Sequence, residues 1–271
     1  MKKVKVKIPA KINLSLYVTG VKDGYHTLSS MVASINVYNK ITAKVAHKNS
    51  VRFSNVKING ESNAEKALNA FTSVTNKSAS VKITSKIPVG QGLGSSSADI
   101  AGTLKALDML YKKPCNIEKI ANELGSDTAY MLKGGFARIS GRGEIVESLS
   151  VKDTIYLLIV TDGGKIGAKE CYKKYDEITS VFSEDVSFNY LLNGETEKFL
   201  EKSQNDLYIP ATKINNRVKD NLERLKGFGH SLMTGSGSAV FSAFLDKKQR
   251  DTAYKKLKKI FKKNIIKAQT I

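Results

Sequence analysis

The sequence of 271 residues contains only two cysteines and no long apolar run. Cys115 and Cys171 lie far apart and match neither a Cys-x-x-Cys metal pair nor the disulfide framework of a small secreted domain. The longest apolar stretch, residues 155–160, is far too short to span a bilayer, and the lysine-rich N-terminus lacks the apolar core of a signal peptide. We therefore expect a cytoplasmic protein with no membrane partner.

Acidic residues are also scarce, since 25 Asp and Glu face 44 Lys and Arg and leave a formal net charge of +19. Such an excess suggests an anionic partner, for example a nucleic acid, a membrane surface or a phosphorylated substrate. Ten basic residues and the single acid Asp251 lie between Lys247 and Lys267, with the apolar spacing of an amphipathic helix. We interpret this helix as a solvated surface and expect no nucleic-acid partner, while nucleic-acid binding stays an alternative function.

The chain is long enough to bury a sizeable core, and its pattern is mixed α and β. Apolar residues alternate with polar ones through the first 18 residues, which predicts opening strands, and Asp23-Gly24 supplies a turn. We place a domain boundary near Lys152, giving domains at 1–152 and 153–271. Further strands are predicted at 31–38, 41–45, 81–87, 137–140, 145–149, 155–160, 231–234 and 240–245, and helices at 64–75, 117–124, 126–132 and in several segments before 226.

A glycine-rich segment from Pro88 to Ala101 carries three glycines and three serines in close succession. Apolar residues recur at helical spacing after it, which places a long helix on its C-terminal side. Glycines let backbone N–H groups converge, and a helix N-terminus attracts anions, so this order of elements suits a triphosphate. A plain tight turn with serine caps is the competing interpretation.

Two common phosphate-binding loops are excluded by the same residues. A Walker loop requires Gly-x-x-x-x-Gly-Lys-Ser/Thr, and no lysine stands at the needed place. A Rossmann fingerprint opens a βαβ unit, whereas here the helix is followed by more predicted helix.

The segment Pro-x-Gly-x-Gly-Leu-Gly-Ser-Ser resembles the second motif of the GHMP kinase superfamily. The resemblance implies an α+β fold of two domains, with an N-terminal ribosomal-protein-S5-like α/β domain, a C-terminal α+β domain and the active site in the cleft between them. It also implies an ATP-dependent small-molecule kinase that uses Mg²⁺.

Six further segments occur in the order found in superfamily members that phosphorylate a hydroxyl of a cytidine-diphosphate polyol in the non-mevalonate isoprenoid pathway. The glycine loop itself has Ser95 and Ser96 where those members usually have glycines. A divergent kinase for another small alcohol, similar to mevalonate or homoserine, is therefore a second interpretation. The six segments are residues 9–14, 23–26, 125–128, 141–144, 205–207 and 234–238.

The resemblance implies two catalytic residues. Asp127 matches an aspartate that accepts or orients the proton of the acceptor hydroxyl. Lys11 matches a lysine that keeps this carboxylate ionised and offsets charge on the phosphoryl group. From the residues alone, Asp127 is as readily a helix cap, and Lys11 a solvent-facing side chain on a lysine-rich strand.

The remaining site residues are implied in the same way, and no residue is assigned as a metal ligand. Their competing interpretations are a surface amide, core tyrosines, a helix cap and a plain hairpin loop. The implied substrate-binding residues are Asn13, Tyr25, His26, Tyr172, Gly235 and Ser236. The implied nucleotide-binding residues are Asn63, beside the adenine, and Pro88, Gly90, Gly92, Leu93, Gly94, Ser95, Ser96 and Ser97, around the phosphates.

Overall fold

The computed structural model of the chain describes residues 2–56, 58, 60–179 and 181–271. The strands are β1 (Lys3–Asn13), β2 (Tyr17–Lys22), β3 (Tyr25–Val45), β4 (Ser50–Phe53), β5 (Ala79–Thr84), β6 (Phe136–Gly141), β7 (Ile145–Leu149), β8 (Tyr156–Val160), β9 (His230–Met233), β10 (Val240–Phe244) and β11 (Ile265–Gln269). The helices are α1 (Asn63–Thr75), α2 (Ser95–Tyr111), α3 (Ile117–Leu124), α4 (Ser126–Lys133), α5 (Ala168–Ile178), α6 (Phe188–Leu192), α7 (Thr196–Lys202), α8 (Tyr208–Ile214), α9 (Arg217–Leu225) and α10 (Lys247–Phe261).

These elements form two compact units, each assembled from separate stretches of chain. The first unit contains Met1–Ala10, Val37–Pro88 and Gly94–Gly134, and the second contains Lys11–Asn36, Val89–Leu93 and Gly135–Ile271. Because both units are discontinuous, a boundary near Lys152 stays a prediction.

The first unit is a sheet covered by helices. Its part of β3 pairs antiparallel with β5 from Lys40 to Val45, and β4 pairs parallel with β5. Helices α1 and α2 pack on each other and on the sheet, because apolar side chains of alternate strand residues such as Ile41 and Ile83 point to their side. The opposite side chains of the same strands are polar.

Close packing of α2 depends on a glycine in the middle of the helix. A Cβ added at Gly102 would lie 2.5 Å from Cδ1 of Ile41 and 2.8 Å from Cγ1 of Ile8. Glycine in a helix interior lowers stability by roughly 1 kcal/mol relative to alanine. That cost is offset here because α2 comes close enough to bury both isoleucines.

The second unit contains two sheets. The hairpin of β2 and β3 turns at Asp23-Gly24, both with positive φ, as the sequence predicts. Within this unit β3 also pairs with β6, and β6 with β7. The other sheet is antiparallel, in the order β11-β8-β10-β9, and helices α5, α8, α9 and α10 enclose its apolar core.

Most of the predicted elements are confirmed, and four segments differ. The two strands predicted at 31–38 and 41–45 are one continuous strand, β3. The predicted strand 81–87 ends at Thr84, because the N–H groups of Lys86 and Ile87 donate to the Asn39 side chain rather than to a neighbouring strand. Strands β4 and β11 were not predicted. The basic C-terminal segment is an amphipathic helix only to Phe261, after which Lys262 adopts a positive φ and β11 begins at Ile265.

Within the described residues, none of the helices combines the length and apolar character needed to cross a membrane.

We expect Gly102→Leu to lower the free energy of unfolding by about 1–3 kcal/mol, because the added side chain collides with Ile41 and Ile8. Met109→Leu, at an exposed position of the same helix, is the matched control and should change stability by less than about 0.5 kcal/mol. Urea unfolding followed by circular dichroism measures both. Equal stabilities for the two variants would contradict this account of the α2 packing.

Candidate active site

The first half of the glycine loop, residues 89–93, belongs to the second unit and is held there by its backbone. The Gly90 carbonyl accepts from the Ile166 N–H at 3.2 Å, and the Leu93 carbonyl accepts from the Lys11 N–H at 3.1 Å. The Gln91 side-chain amide donates to the Thr161 carbonyl at 3.2 Å. The loop therefore has a defined path rather than that of a loose turn.

Gly92 makes the tightest approach in this part of the loop. Its φ is 76°, and a Cβ added there would lie well inside van der Waals distance of the Thr234 carbonyl oxygen. A Cβ added at Gly235 would lie 3.1 Å from the Gly92 carbonyl oxygen and 3.4 Å from Oδ1 of Asn13. The glycine loop, the β9–β10 turn and β1 thus lie close together, with no room for a side chain at Gly92 and little at Gly235.

Two asparagines fix the β9–β10 turn against this loop. Asn205 donates from Nδ2 to the carbonyls of Met233 and Gly235 at 2.7 and 2.9 Å. The Thr234 hydroxyl accepts from the Asn13 N–H at 2.8 Å. The turn is therefore both a hairpin loop and a wall of the candidate site, as its motif allows.

Lys11 and Asn13 are buried, each 5% exposed, and lie on the same side of β1. The Lys11 ammonium donates to Oδ1 of Asn13 at 2.5 Å, and Nδ2 of Asn13 donates to the Ser30 hydroxyl at 2.7 Å. The competing interpretations, a solvent-facing lysine and a surface amide, are wrong. A buried cation beside a glycine loop is suited to charge neutralisation, because its field is weakly screened there.

His26 lies at the centre of a second cluster in this unit. Its ring stacks on Tyr172 at 4.9 Å between centroids and meets Tyr175 edge-on at 5.8 Å. Nε2 of His26 lies 2.7 Å from Oδ1 of Asp176. A carboxylate only accepts, so Nε2 donates to Asp176, and in the neutral tautomer this leaves Nδ1 as an acceptor.

Tyr25 lies beside this cluster in sequence but is 60% exposed. The guanidinium of Arg142 lies 4.9 Å from the centroid of its ring. A turn tyrosine packed in the core is therefore excluded, and one ring of the predicted pair is presented to solvent. The Arg142 N–H donates to Glu144 at 2.6 Å, which shapes the hairpin that holds the guanidinium.

The second half of the glycine loop belongs to the first unit and begins α2. Gly94 is the N-cap residue, with a φ of 76°, and no side chain of the described residues caps the helix. Ser95 is buried and donates to the Ile87 carbonyl at 3.3 Å, while Ser96 is exposed and Ser97 half-buried. The serine-cap interpretation is wrong, and the first-turn N–H groups of α2 suit an anion.

Behind this helix start, Asn39 connects α2 to the segment before the loop. It is fully buried, accepts at Oδ1 from the N–H groups of Lys86 and Ile87 at 2.8 and 2.9 Å, and donates to Oδ1 of Asp99 at 2.9 Å. Burial raises the pKa of the Asp99 carboxyl to about 6, although the Asn39 hydrogen bond lowers it. Desolvation of the carboxylate therefore changes its pKa more than the hydrogen bond does.

Asp127 and Asn63 each lie in the first turn of a helix of the first unit. The N-cap of α4 is Gly125, without a side-chain cap, so the interpretation of Asp127 as a capping residue is wrong. The N-cap of α1 is Ser62, in a capping box with Glu65, so Asn63 does not cap its helix either. Both side chains are half-buried, and their roles stay predictions.

Within the second unit, the structure brings together Lys11, Asn13, Gly92 and Gly235, and separately His26 with Tyr172. Sequence reasoning assigned no role to Asn39, Asp99 or Asp176, and it noted Arg142 and Asn205 only as parts of motifs. Asp99 could have been noticed in the sequence, because it stands between the apolar residues Ala98 and Ile100 near the start of α2. Asp176, which contacts His26, is distant in sequence, and no motif pointed to it.

Two family models match the chain. One, described as GHMP kinases N terminal domain, covers residues 62–137, and the other, GHMP kinases C terminal, covers residues 191–263. 4-Diphosphocytidyl-2-C-methyl-D-erythritol kinase of Desulfitobacterium hafniense is 34% identical over 89% of this chain and 87% of that protein. The enzyme of the same name from Thermoanaerobacter pseudethanolicus is 33% identical over 96% of this chain and 94% of that protein.

A crystal structure of 4-(cytidine 5'-diphospho)-2C-methyl-D-erythritol kinase superposes with a TM-score of 0.82 at 24% identity, covering 98% of each chain. The predicted α+β GHMP kinase fold is confirmed. The chain belongs to the GHMP kinases and is an ATP-dependent kinase.

We expect Gly92→Ala to lower both stability and kinase activity, because alanine is strained at a φ of 76° and its Cβ collides with the Thr234 carbonyl. Gly194→Ala is the matched control, since Gly194 has a φ of +75° with nothing within 4 Å of an added Cβ. Gly194→Ala should lower the free energy of unfolding by about 1–2 kcal/mol through backbone strain alone. Gly92→Ala should lower it by at least about 1 kcal/mol more, because of the collision. Chemical unfolding and ADP release measure the difference, and equal losses would contradict the contact.

We expect Asp99→Asn to remove one component of the pH dependence of stability. The folded carboxyl has a pKa of about 6 against 3.8 in the unfolded chain, so folding binds a proton between these values and stability falls as pH rises through them. Above pH 6 the ionised, buried Asp99 carboxylate lowers the free energy of unfolding by about 3 kcal/mol. Asparagine keeps the acceptor for Asn39 and cannot ionise.

Unfolding free energies at several pH values test this. The variant should match the wild type near pH 4 and be more stable by about 2–3 kcal/mol near pH 7. Asp220→Asn, at an exposed site on α9, controls for the loss of one charge. A difference between wild type and Asp99→Asn that does not change with pH would refute the assignment.

Proposed function

We propose that this kinase transfers the γ-phosphoryl group of ATP to a hydroxyl of 4-diphosphocytidyl-2-C-methyl-D-erythritol, the molecule in the names of its relatives. The observation that carries the substrate assignment is the cluster of His26, Tyr172 and Asp176. A reaction of this kind would place the chain in the non-mevalonate isoprenoid pathway. A cytoplasmic location is proposed with it.

The His26 cluster has the chemistry that a cytosine base requires. Asp176 accepts from Nε2 and leaves Nδ1 of the neutral ring as an acceptor, which matches the 4-amino group of cytosine and not the 4-oxo group of uracil. Tyr172 and the exposed ring of Tyr25 are flat faces on which a pyrimidine can stack. Binding of the base would require the His26–Tyr172 stack to open or the base to extend it.

The nucleotide is assigned to the glycine loop and the start of α2. After Pro88, residues 89–97 offer backbone N–H groups and the hydroxyls of Ser96 and Ser97, and no side chain of the described residues caps the start of α2. Asn63 is proposed to lie beside the adenine. We propose Mg²⁺ as the metal that accompanies ATP; it usually takes phosphate oxygens, waters and one or two protein oxygens, and serine hydroxyls fit that requirement.

In the proposed transfer, the acceptor oxygen forms a bond to the γ-phosphorus as the bond to the ADP oxygen breaks. Asp127 takes the proton of the acceptor hydroxyl, and the Lys11 ammonium offsets negative charge on the phosphoryl group. Asn13 orients the polyol, because its amide is itself fixed by Lys11 and Ser30. Gly235 and Ser236 line the site with backbone N–H groups.

A second acceptor class follows from the glycine loop. Ser95 and Ser96 stand where the cytidyl-specific enzymes usually have glycines, as in the superfamily at large. A small alcohol similar to mevalonate or homoserine is therefore the alternative substrate.

We expect ADP release to depend on the cytidine-diphosphate polyol and to fall by about 10²-fold or more in Asp127→Asn, because the amide cannot accept the proton. Asp220→Asn, on the exposed face of α9, is the control for protein quality and should retain wild-type activity. The assay runs with the cytidyl acceptor, its uridine counterpart, mevalonate and homoserine. Faster turnover of mevalonate or homoserine would transfer the assignment to the alternative, and no acceptor-dependent ADP release by folded protein would remove both.

A further inference from the structure

The first unit contains a large basic groove on the side of its sheet that faces away from α1 and α2. The groove has a volume of about 1100 Å³. Among the described residues, its lining contains seven cations, three hydroxyl side chains, three aliphatic residues and no carboxylate. The lining residues are Lys3, Lys5, Lys7, Lys40, Lys44, Arg52, Lys82, Thr42, Ser80, Thr84, Val6, Ile41 and Val81.

Strand geometry concentrates these cations on one surface. Side chains alternate across a strand, so the lysines at every second position of β1 share a face, while Ile8 and Ile41 pack under α2. In the registered strands, Thr42 lies opposite Lys82, and Lys82 lies opposite Arg52. Neighbouring strands thus place two like charges side by side.

This arrangement is unfavourable for the isolated fold. Like charges directly opposite each other on neighbouring strands repel and destabilise a sheet. All seven cations are exposed, and within the described residues none of them forms an ion pair. A polyanion bound in the groove would relieve this repulsion.

We propose that the basic groove binds duplex nucleic acid through its sugar-phosphate backbone, as a function additional to the kinase reaction. Cations and hydroxyl groups are the side chains that contact phosphates without reading sequence. None of the described residues that line the groove has an aromatic ring on which a base could stack, which favours a duplex over a single strand.

The shape and the apolar residues of the groove disfavour a lipid surface. A concave face seats a convex rod, whereas a flat bilayer would contact only its rims. Ile41 and Val81 are at most 1% exposed, and their side chains point towards the helices, so they cannot insert between lipids.

Fluorescence anisotropy with labelled DNA and RNA duplexes of one sequence tests the proposal. The wild type should bind both duplexes at about 50 mM salt, with an affinity that falls steeply towards 200 mM. The triple variant Lys40→Gln, Lys44→Gln, Lys82→Gln should bind at least tenfold more weakly. Its log–log salt slope should be shallower by about 0.9 for each lysine that contacts a phosphate.

The matched control removes the same charge from the exposed face of α10, as Lys255→Gln, Lys256→Gln, Lys259→Gln. It should keep near wild-type duplex affinity, and both triple variants should keep kinase activity, which separates this test from that of the proposed reaction. Equal weakening by the two triple variants would mean attraction by net charge alone and would overturn the proposal. No duplex binding at low salt would overturn it too, as would groove-dependent binding only to phosphatidylserine vesicles.

Discussion

The candidate site of the second unit depends on one close approach, between the backbone of Gly92 and the carbonyl of Thr234. No other residue type fits at position 92, because both the positive φ and the lack of space require glycine. Once these two turns are in contact, the Asn13 N–H reaches the Thr234 hydroxyl. Asn205 holds the same turn by donating to two of its backbone carbonyls.

Hydrogen bonds between buried polar groups fix the rest of the site geometry. Lys11 is 5% exposed, and a buried ammonium is tolerated only when polar groups compensate for lost water. Asn13 satisfies part of that requirement and is itself tied to Ser30, whose hydroxyl donates to the Ser15 carbonyl at 2.5 Å. In the first unit, the side-chain amide of Asn39 has a similar role. It fixes the backbone of Lys86 and Ile87 before the glycine loop and also binds the Asp99 carboxyl. Networks of this kind specify one geometry, because each member is costly to leave unpaired.

Local patterns predicted the elements whose structure is decided locally. The Asp23-Gly24 hairpin, α1 and α3 follow from turn chemistry and from apolar spacing. The end of the strand at Thr84 could not be predicted, because it depends on Asn39, more than 40 residues earlier in the chain. Strand β11 is equally nonlocal, since it exists by pairing with β8 about 100 residues away.

In the candidate site, too, local features could be predicted from the sequence and nonlocal ones could not. The glycine loop and its helix were evident from the residues, and the GHMP motifs supplied Lys11, Asp127 and the cytidine pair as candidates. Burial of Lys11 and the partner of His26 were not evident, because a lysine on a lysine-rich strand looks solvated and Asp176 is 150 residues from His26. The basic groove was not predicted for a related reason. Each of its lysines alone looks like an ordinary surface residue, and only the pairing of the strands brings them together on one face.

The central claim is that the glycine loop holds the phosphates of ATP while the His26 cluster holds a cytosine. A crystal structure with a non-hydrolysable ATP analogue and the cytidine-diphosphate polyol tests it most directly. We expect the phosphates within hydrogen-bond distance of backbone N–H groups in residues 90–97, and the pyrimidine on the rings of Tyr25, His26 or Tyr172. Phosphates bound away from the glycine loop, or a cytosine bound away from His26, would contradict the account.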